Sequence, residues 1–270
     1  MIVWLASYPK SGNTWLRHFL ACLYSGRRVS INELGALGFV TDSRQNFYEE
    51  LSGKTVDQLT EAEIPLLRLK VQRLIEQRLK PLAFVKTHTA LIAENGVPAI
   101  DFATTAAAIY VVRDPRDVAV SYAKHYGIEV GKAVDFLTDD RTTIGENVYY
   151  RLGSWEAHAR SWVNSKVPKC VYKYEEMRRD PVGTARDIAK FLKLKRSRPQ
   201  LRKSLADASL ERARREEAKR GFEEASDKAQ RFFGEGKIGG WQGKLTREQV
   251  ARIEGKCADT MKRFGYELET

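Results

Sequence analysis

Cysteine is scarce in this chain: there are three, Cys22, Cys170 and Cys257, among 270 residues. An odd number, spaced so far apart, supports neither a disulfide framework nor a zinc site, and buried free thiols are expected. Histidine is nearly as rare, with four. His125 and His158 show no metal-type spacing with a carboxylate, so no metal is expected. There is no long apolar run, which excludes a membrane-spanning helix. No internal repeat or low-complexity tract is visible. The first apolar run begins at Ile2, leaving no room for a signal or transit peptide, so a cytoplasmic location is the expectation.

What is present is a globular composition, 43% hydrophobic and 30% charged, with a formal net charge of +11. The length fits one large α/β domain over residues 1–270. The basic excess points to anionic partners: nucleic acid, an acidic membrane surface or a polyanionic cofactor. Most cations sit among acids in helical patterns, as on a solvated face, so charge alone does not choose.

The most informative stretch is residues 7–15. The apolar run Ile2-Val3-Trp4-Leu5-Ala6 precedes it and a helical pattern from Leu16 to about Tyr24 follows. Pro9 and Gly12 punctuate the turn, and Ser11, Asn13 and Thr14 are cap-type residues at the helix mouth. A helix start leaves backbone N–H groups unpaired and partly positive, which makes an anion site. Lys10 adds a full cation. The order is wrong for a nucleoside triphosphate loop, which needs a longer Gly-rich turn with Lys after its second Gly.

Further along, an amphipathic helix carries Ile64, Leu67, Val71, Leu74 and Ile75, with Pro65 in its first turn. The strand Leu82-Ala83-Phe84-Val85 then ends in Lys86-Thr87-His88. Ligands of open α/β sheets bind beyond the carboxyl ends of strands, and Lys86 and His88 leave the strand on one face. The strand at residues 108–112 runs into Arg113, Asp114 and Pro115, and a helix starting near Arg116 carries Ser121, where it can meet an anion held by Arg113. Residues 135–153 read as loop. Ser154 is placed to cap a helix with Trp155 and Trp162 on nearly one face, expected to be core, with substrate lining as the alternative. A fourth strand, residues 170–174, precedes Glu175-Glu176-Met177 and a helix over residues 182–192. Residues 211–231 are charged and poor in apolar residues, a solvated helix or a mobile loop, and the whole stretch 211–241, Gly-rich at its end, is expected to be mobile. The last helix, residues 247–264, packs Val250, Ile253, Cys257 and Met261 on the core.

Taken together, these segments resemble the cytosolic-type sulfotransferases that use 3′-phosphoadenosine 5′-phosphosulfate (PAPS). Residues 7–15 resemble that family's 5′-phosphosulfate loop, the Lys-Thr-His run its catalytic-His segment, and residues 113–121 its 3′-phosphate segment, including the Arg-to-Ser spacing. Tyr174-Glu175-Glu176-Met177 resembles a segment whose Tyr contacts adenine. Ala208-Ser209-Leu210 resembles a nucleotide-bordering segment, with Leu210 in place of the usual aromatic. Gly236, Gly239 and Trp241 resemble the Gly-rich motif that closes over the 3′-phosphate. Gly234 and Glu235 stand where the family places Arg and a second basic residue, leaving Lys237 or Arg231 as the substitute cation.

The resemblance implies a P-loop-like three-layer α/β fold, with a central parallel sheet of about five strands and helices on both faces. It implies sulfuryl transfer from PAPS to a hydroxyl or amine of a small-molecule acceptor, with PAP as product. His88 would be the general base, Lys86 would hold the sulfuryl group, and Lys10 with the loop residues Ser11, Gly12, Asn13 and Thr14 would stabilise the leaving 5′-phosphate. Arg113, Ser121, Gly236 and Lys237 would serve the 3′-phosphate, and Trp15, Tyr174 and Ser209 the nucleoside. Acceptor specificity would lie in residues 25–54 and 138–153. Two rivals stand beside this reading. A P-loop nucleotide kinase would need a Mg²⁺ carboxylate at a strand end, with Asp114 as the only candidate. A non-catalytic nucleotide- or nucleic-acid-binding module would show a helix-turn-helix, RNP or zinc signature, and none is present, so no nucleic-acid partner is expected. Oligomeric state is open, a homodimer among the options.

Overall fold

The computed structural model describes residues 1–144, 148–225 and 231–270. In chain order its elements are β1 (Ile2–Ser7), α1 (Asn13–Ser25), β2 (Phe39–Thr41), α2 (Gln45–Ser52), α3 (Glu63–Arg78), β3 (Ala83–Thr87), β4 (Thr105–Val112), α4 (Pro115–Tyr126), α5 (Val130–Thr138), β5 (Thr143–Ile144), β6 (Tyr150–Arg151), α6 (Trp155–Val163), β7 (Lys169–Lys173), α7 (Tyr174–Arg179), α8 (Pro181–Phe191), α9 (Arg198–Asp207), α10 (Leu210–Arg220) and α11 (Arg247–Arg263). Five strands form one parallel sheet in the order β2-β3-β1-β4-β7. β5 and β6 pair antiparallel as a separate ribbon.

β1 lies at the centre and is buried along its whole length. A strand buried on both faces carries a continuous apolar run rather than an alternating one. Its side chains still alternate between layers. Ile2, Trp4 and Ala6 pack with Val71, Ile75, Val118, Trp155, Trp162 and Ile253. Val3 and Leu5 face the opposite layer, with Leu16, Phe19 and Leu20 of α1 and Ile188 of α8. The sheet thus sits between two helical layers, the three-layer arrangement expected from sequence. All parallel strands point the same way, so Ser7, Thr87, Val112 and Lys173 end at one edge, and the functional loops leave from there.

Four differences from the sequence reading have physical causes. β2 is a three-residue edge strand joined only to β3, too short to carry a period. α5 runs to Thr138 because Val134 and Leu137 are buried, so the loop begins later than Asp135. α9 was not expected, although Ser197 and Gln200 form a capping box around Pro199 at its start. Cys170 is half-buried rather than buried, while Cys22 and Cys257 are buried, and all three thiols are free. The capping of α6 by Ser154 and the burial of both its tryptophans are as expected. Among the described residues, no helix is long and apolar enough to cross a membrane.

Candidate active site

The loop after β1 turns through left-handed backbone at Lys10 (φ 65°) and Gly12 (φ 100°). Gly12 is the N-cap of α1, and no side chain caps that helix. This corrects the expectation that Ser11, Asn13 or Thr14 acts as a cap. Asn13 instead turns back to the sheet, its Nδ2 donating to Leu5 O at 2.8 Å and to Ser7 Oγ at 3.3 Å. Ser11 Oγ is buried with no partner. Uncapped amides and an orphaned hydroxyl at a helix start are the chemistry of an anion cradle. Lys10 stands beside them. Burial, reinforced by the neighbouring Lys86 and Arg113, pushes its pKa down to about 7. Its Nζ lies 4.3 Å from the Phe232 ring centroid.

His88 lies just past the end of β3. Its Nδ1 is 2.6 Å from Ser7 O. A carbonyl only accepts, so Nδ1 carries the proton and Nε2 has the free lone pair. Burial and the charge of Lys86 hold its pKa well below 6.5, so the ring is neutral at neutral pH. His158, with no assignment from sequence, supports this residue from α6. Its Nε2 donates to His88 O at 3.2 Å, which leaves Nδ1 to accept from the Tyr110 hydroxyl at 3.0 Å. No sequence spacing signals this link.

Arg113, at the end of β4, donates to Lys10 O at 3.0 Å and to Lys237 O at 3.1 Å. Its guanidinium lies 4.5 Å from the Tyr174 ring centroid, and its Nε is buried without a partner. The Tyr174 hydroxyl donates to Gly236 O at 3.2 Å. Asp117, also unassigned from sequence, accepts from the amides of Gly239 and Trp241, at 3.0 Å each. Phe233 and Trp241 are buried, so the later part of residues 211–241 is better packed than its composition indicates. The earlier part is the helix α10, with only Ala213 buried. Residues 226–230, which the expected mobile segment includes, lie outside the described residues.

These groups line one cleft of ≈ 740 Å³, with Lys10, Gly12, Asn13, Thr14, Trp15, Lys86, His88, Arg113, Ser121, Tyr174, Gly236 and Lys237 on its walls. Ser11 lies beneath the loop, and Ser209 is the N-cap of α10. Neither lines the cleft, and Leu210 takes the wall position beside Gly236. Lys237 is not a free substitute cation: its Nζ pairs with Glu235 at 2.9 Å, both side chains being exposed. Arg231 is exposed, and the cleft's additional cations are Lys124 and Lys244. Thr41, Asp42, Ser43, Ile144 and Tyr150 reach the cleft from the two regions expected to choose the acceptor. Asp114 caps α4 and binds Arg116 through both oxygens, so the Mg²⁺ carboxylate a kinase needs is already engaged. Among the described residues, no group of three or more His, Cys, Asp or Glu is placed to hold a metal.

A five-stranded parallel sheet with a cationic loop between its central strand and the next helix defines a P-loop-like α/β protein. Residues 2–265 match the sulfotransferase domain family, and the chain belongs to that family. It is 23% identical to cytosolic sulfotransferase 17 of Arabidopsis thaliana, covering 97% of this chain and 75% of that protein. It is 28% identical to luciferin sulfotransferase of Photinus pyralis (78% and 56%) and 29% identical to sulfotransferase 1B1 of Canis lupus familiaris (70% and 57%). The chain thus spans three quarters of the first relative and just over half of the other two. Among solved structures, retinol dehydratase in complex with androsterone and PAP superposes with a TM-score of 0.63 at 20% identity, over 97% of this chain and 80% of that one. A mouse sulfotransferase complexed with PAP gives 0.61 at 20%, over 97% and 83%. The shared fold is that of sulfotransferases.

Proposed function

We propose that this sulfotransferase moves a sulfuryl group from PAPS to a hydroxyl or amine of a small-molecule acceptor, with His88 as general base. The carrying observation is the fixed tautomer of His88: Nδ1 is held by Ser7 O, and Nε2 is unprotonated in the cleft that holds Lys10 and Lys86. The residues fit the donor. Ser11 Oγ and Arg113 Nε are buried polar atoms without partners, and Gly12 and Gly236 keep side chains away from Tyr174. PAPS supplies an activated sulfuryl group whose leaving group is the 5′-phosphate of PAP.

Within this reading the protein's part is position and charge. Lys10 and the amides of Gly12, Asn13 and Thr14 stabilise the departing phosphate, with the buried Ser11 behind them. Lys86 faces the transferring group. His88 Nε2 takes the acceptor's proton, and the Ser7 carbonyl stabilises the ring once it is charged. Arg113 and Ser121 receive the 3′-phosphate, with Lys124 and Lys244 as further cations on the same wall. Trp15, Tyr174 and Leu210 border the nucleoside, and Asn13 acts through its backbone because its amide is tied to β1. A cytoplasmic location is part of the proposal, supported by the free thiols and the cytosolic name of one relative. A homodimer is the assembly to test by light scattering.

The deciding experiment has two arms. PAP should raise the melting temperature, while AMP and ATP–Mg²⁺ should do so far less. Labelled sulfate from PAPS should appear in a product when the protein meets a metabolite extract. Equal protection by PAP and ATP–Mg²⁺, with no labelled product, would return the kinase reading.

A further inference from the structure

Arg17 has no role in the mechanism above, yet it is the fifth residue of α1 and only 1% exposed. Its Nη2 lies 2.5 Å from Oε1 of Glu224, and Lys86 Nζ lies 2.9 Å from Oε2 of the same carboxylate. One carboxylate therefore spans two cations, one oxygen to each. Arg17 Nε is buried without a partner, so the guanidinium is not satisfied by the protein alone. A cation buried this deeply is costly unless an anion sits against it.

The partner comes from a stretch that is not part of the sheet. Glu224 follows α10, and its side chain is 34% exposed. Burial opposes its charge, but Lys86 and Arg17 hold its carboxyl down to about 2. It stays ionised at any working pH, so protonation does not release it and a competing anion must. Which anion follows from position. Lys10, Lys86, His88 and Glu224 all line the one cleft, and Lys86 stands at the end of β3, two residues before His88. Lys86 is thus near both the leaving-group cation and the base, and the group that passes between those two is the sulfuryl.

We propose that Arg17 and Lys86 together form the seat of the sulfuryl group, and that Glu224 is the internal occupant of that seat when the donor is absent. This rests on the reading of the cleft as a PAPS site. A sulfuryl group offers what the carboxylate offers, oxygens that share negative charge and can each accept from a cation. Donor binding is then an exchange of one anion for another, and Arg17 is a second cation on the reacting group.

The test is calorimetric titration of the intact protein with PAP and with PAPS, without acceptor. PAPS carries the sulfuryl group and PAP does not. Glu224→Gln removes the competing charge and should tighten PAPS by about tenfold or more, the scale of one charge-assisted hydrogen bond, with PAP nearly unchanged. Arg17→Gln should weaken PAPS and spare PAP, with Arg17→Lys restoring part of the loss. Removing a buried Arg can unfold the chain, so the Glu224→Gln result decides alone. If that variant shifts PAP and PAPS equally, or neither, the seat is not the sulfuryl's and the proposal falls. It falls likewise if only the acceptor's KM moves, since the seat then belongs to the acceptor. A parent protein that binds neither nucleotide would overturn the donor assignment itself, a different failure from loss of discrimination alone.

Discussion

Gly12 and Tyr174 meet through a gap that only glycine leaves open. A Cβ on Gly12 would stand 2.7 Å from Tyr174 Cδ2, and the residue's φ of +100° is itself one that side chains disfavour. Tyr174 thus lies directly against the loop after β1. Gly12→Ala should destabilise the fold by about 1–3 kcal/mol, from strain and overpacking together. It should also weaken PAP binding. Thermal melts with and without PAP check both, and an unchanged melting temperature would mean the ring and loop separate readily.

His88→Ala should lower kcat by about 10²-fold or more and leave PAP affinity nearly intact. The acid limb of kcat/KM due to this residue should lie well below pH 6.5, because burial and Lys86 keep the ring neutral. A midpoint at or above 6.5 would place the base elsewhere.

Under the proposed function Lys10 should make nucleotide binding proton-linked. Its pKa in the free protein is about 7, and a phosphate beside it favours the charged form and raises that value. The ammonium is already present below pH 7. Above pH 7 binding must take up a proton, so PAP affinity should fall as pH rises through the bound-state pKa. Calorimetry at pH 8 in buffers of different ionisation enthalpy should report net proton uptake, and Lys10→Met should abolish it. Uptake that persists in Lys10→Met would assign the proton to another group.

Asp117 secures the Gly-rich turn through both its oxygens. Asp117→Asn leaves one carbonyl-type acceptor for two amides and should weaken PAP several-fold, with little effect on AMP. Arg113→Lys should act in the same direction, since a point charge cannot replace the fork that holds Lys10 O and Lys237 O. Equal losses for PAP and AMP in either variant would detach this turn from the 3′-phosphate.

How much of this was legible in the sequence depended on distance along the chain. Lys10, His88 and Arg113 lie within three residues of a strand's carboxyl end and Ser121 nearly two turns into the helix that follows β4, so short local patterns point to them. Arg17 meets Glu224 across 207 residues, and Lys86 meets it across 138. Nothing in a helix interior such as Leu16-Arg17-His18 marks its Arg as buried among charges. Asp117 reaches the Gly-rich turn across 122 residues and His158 reaches His88 across 70. Singly, these look like an ordinary helix carboxylate and a core histidine. The departure at Gly234 and Glu235 was visible, but its neighbour Lys237 pairs with Glu235, and only folding brings Lys124 and Lys244 to the same wall.

Ser7 O holds the His88 ring and Leu5 O holds Asn13 of the loop after β1, so under the proposed function both ends of the reaction hang from the central strand. The cleft residues proposed to face the acceptor come from β2 at the sheet's edge, from the turn after it, and from the β5–β6 ribbon. That edge is also tied to the proposed chemistry: Thr41 pairs with Lys86, Asp42 N donates to Lys86 O at 3.3 Å, and Asp42 Oδ2 accepts from Thr87 Oγ1 at 3.0 Å. Exchanging residues 41–43 should therefore move kcat together with acceptor choice, and a chain reprogrammed for a new acceptor has to keep Asp42.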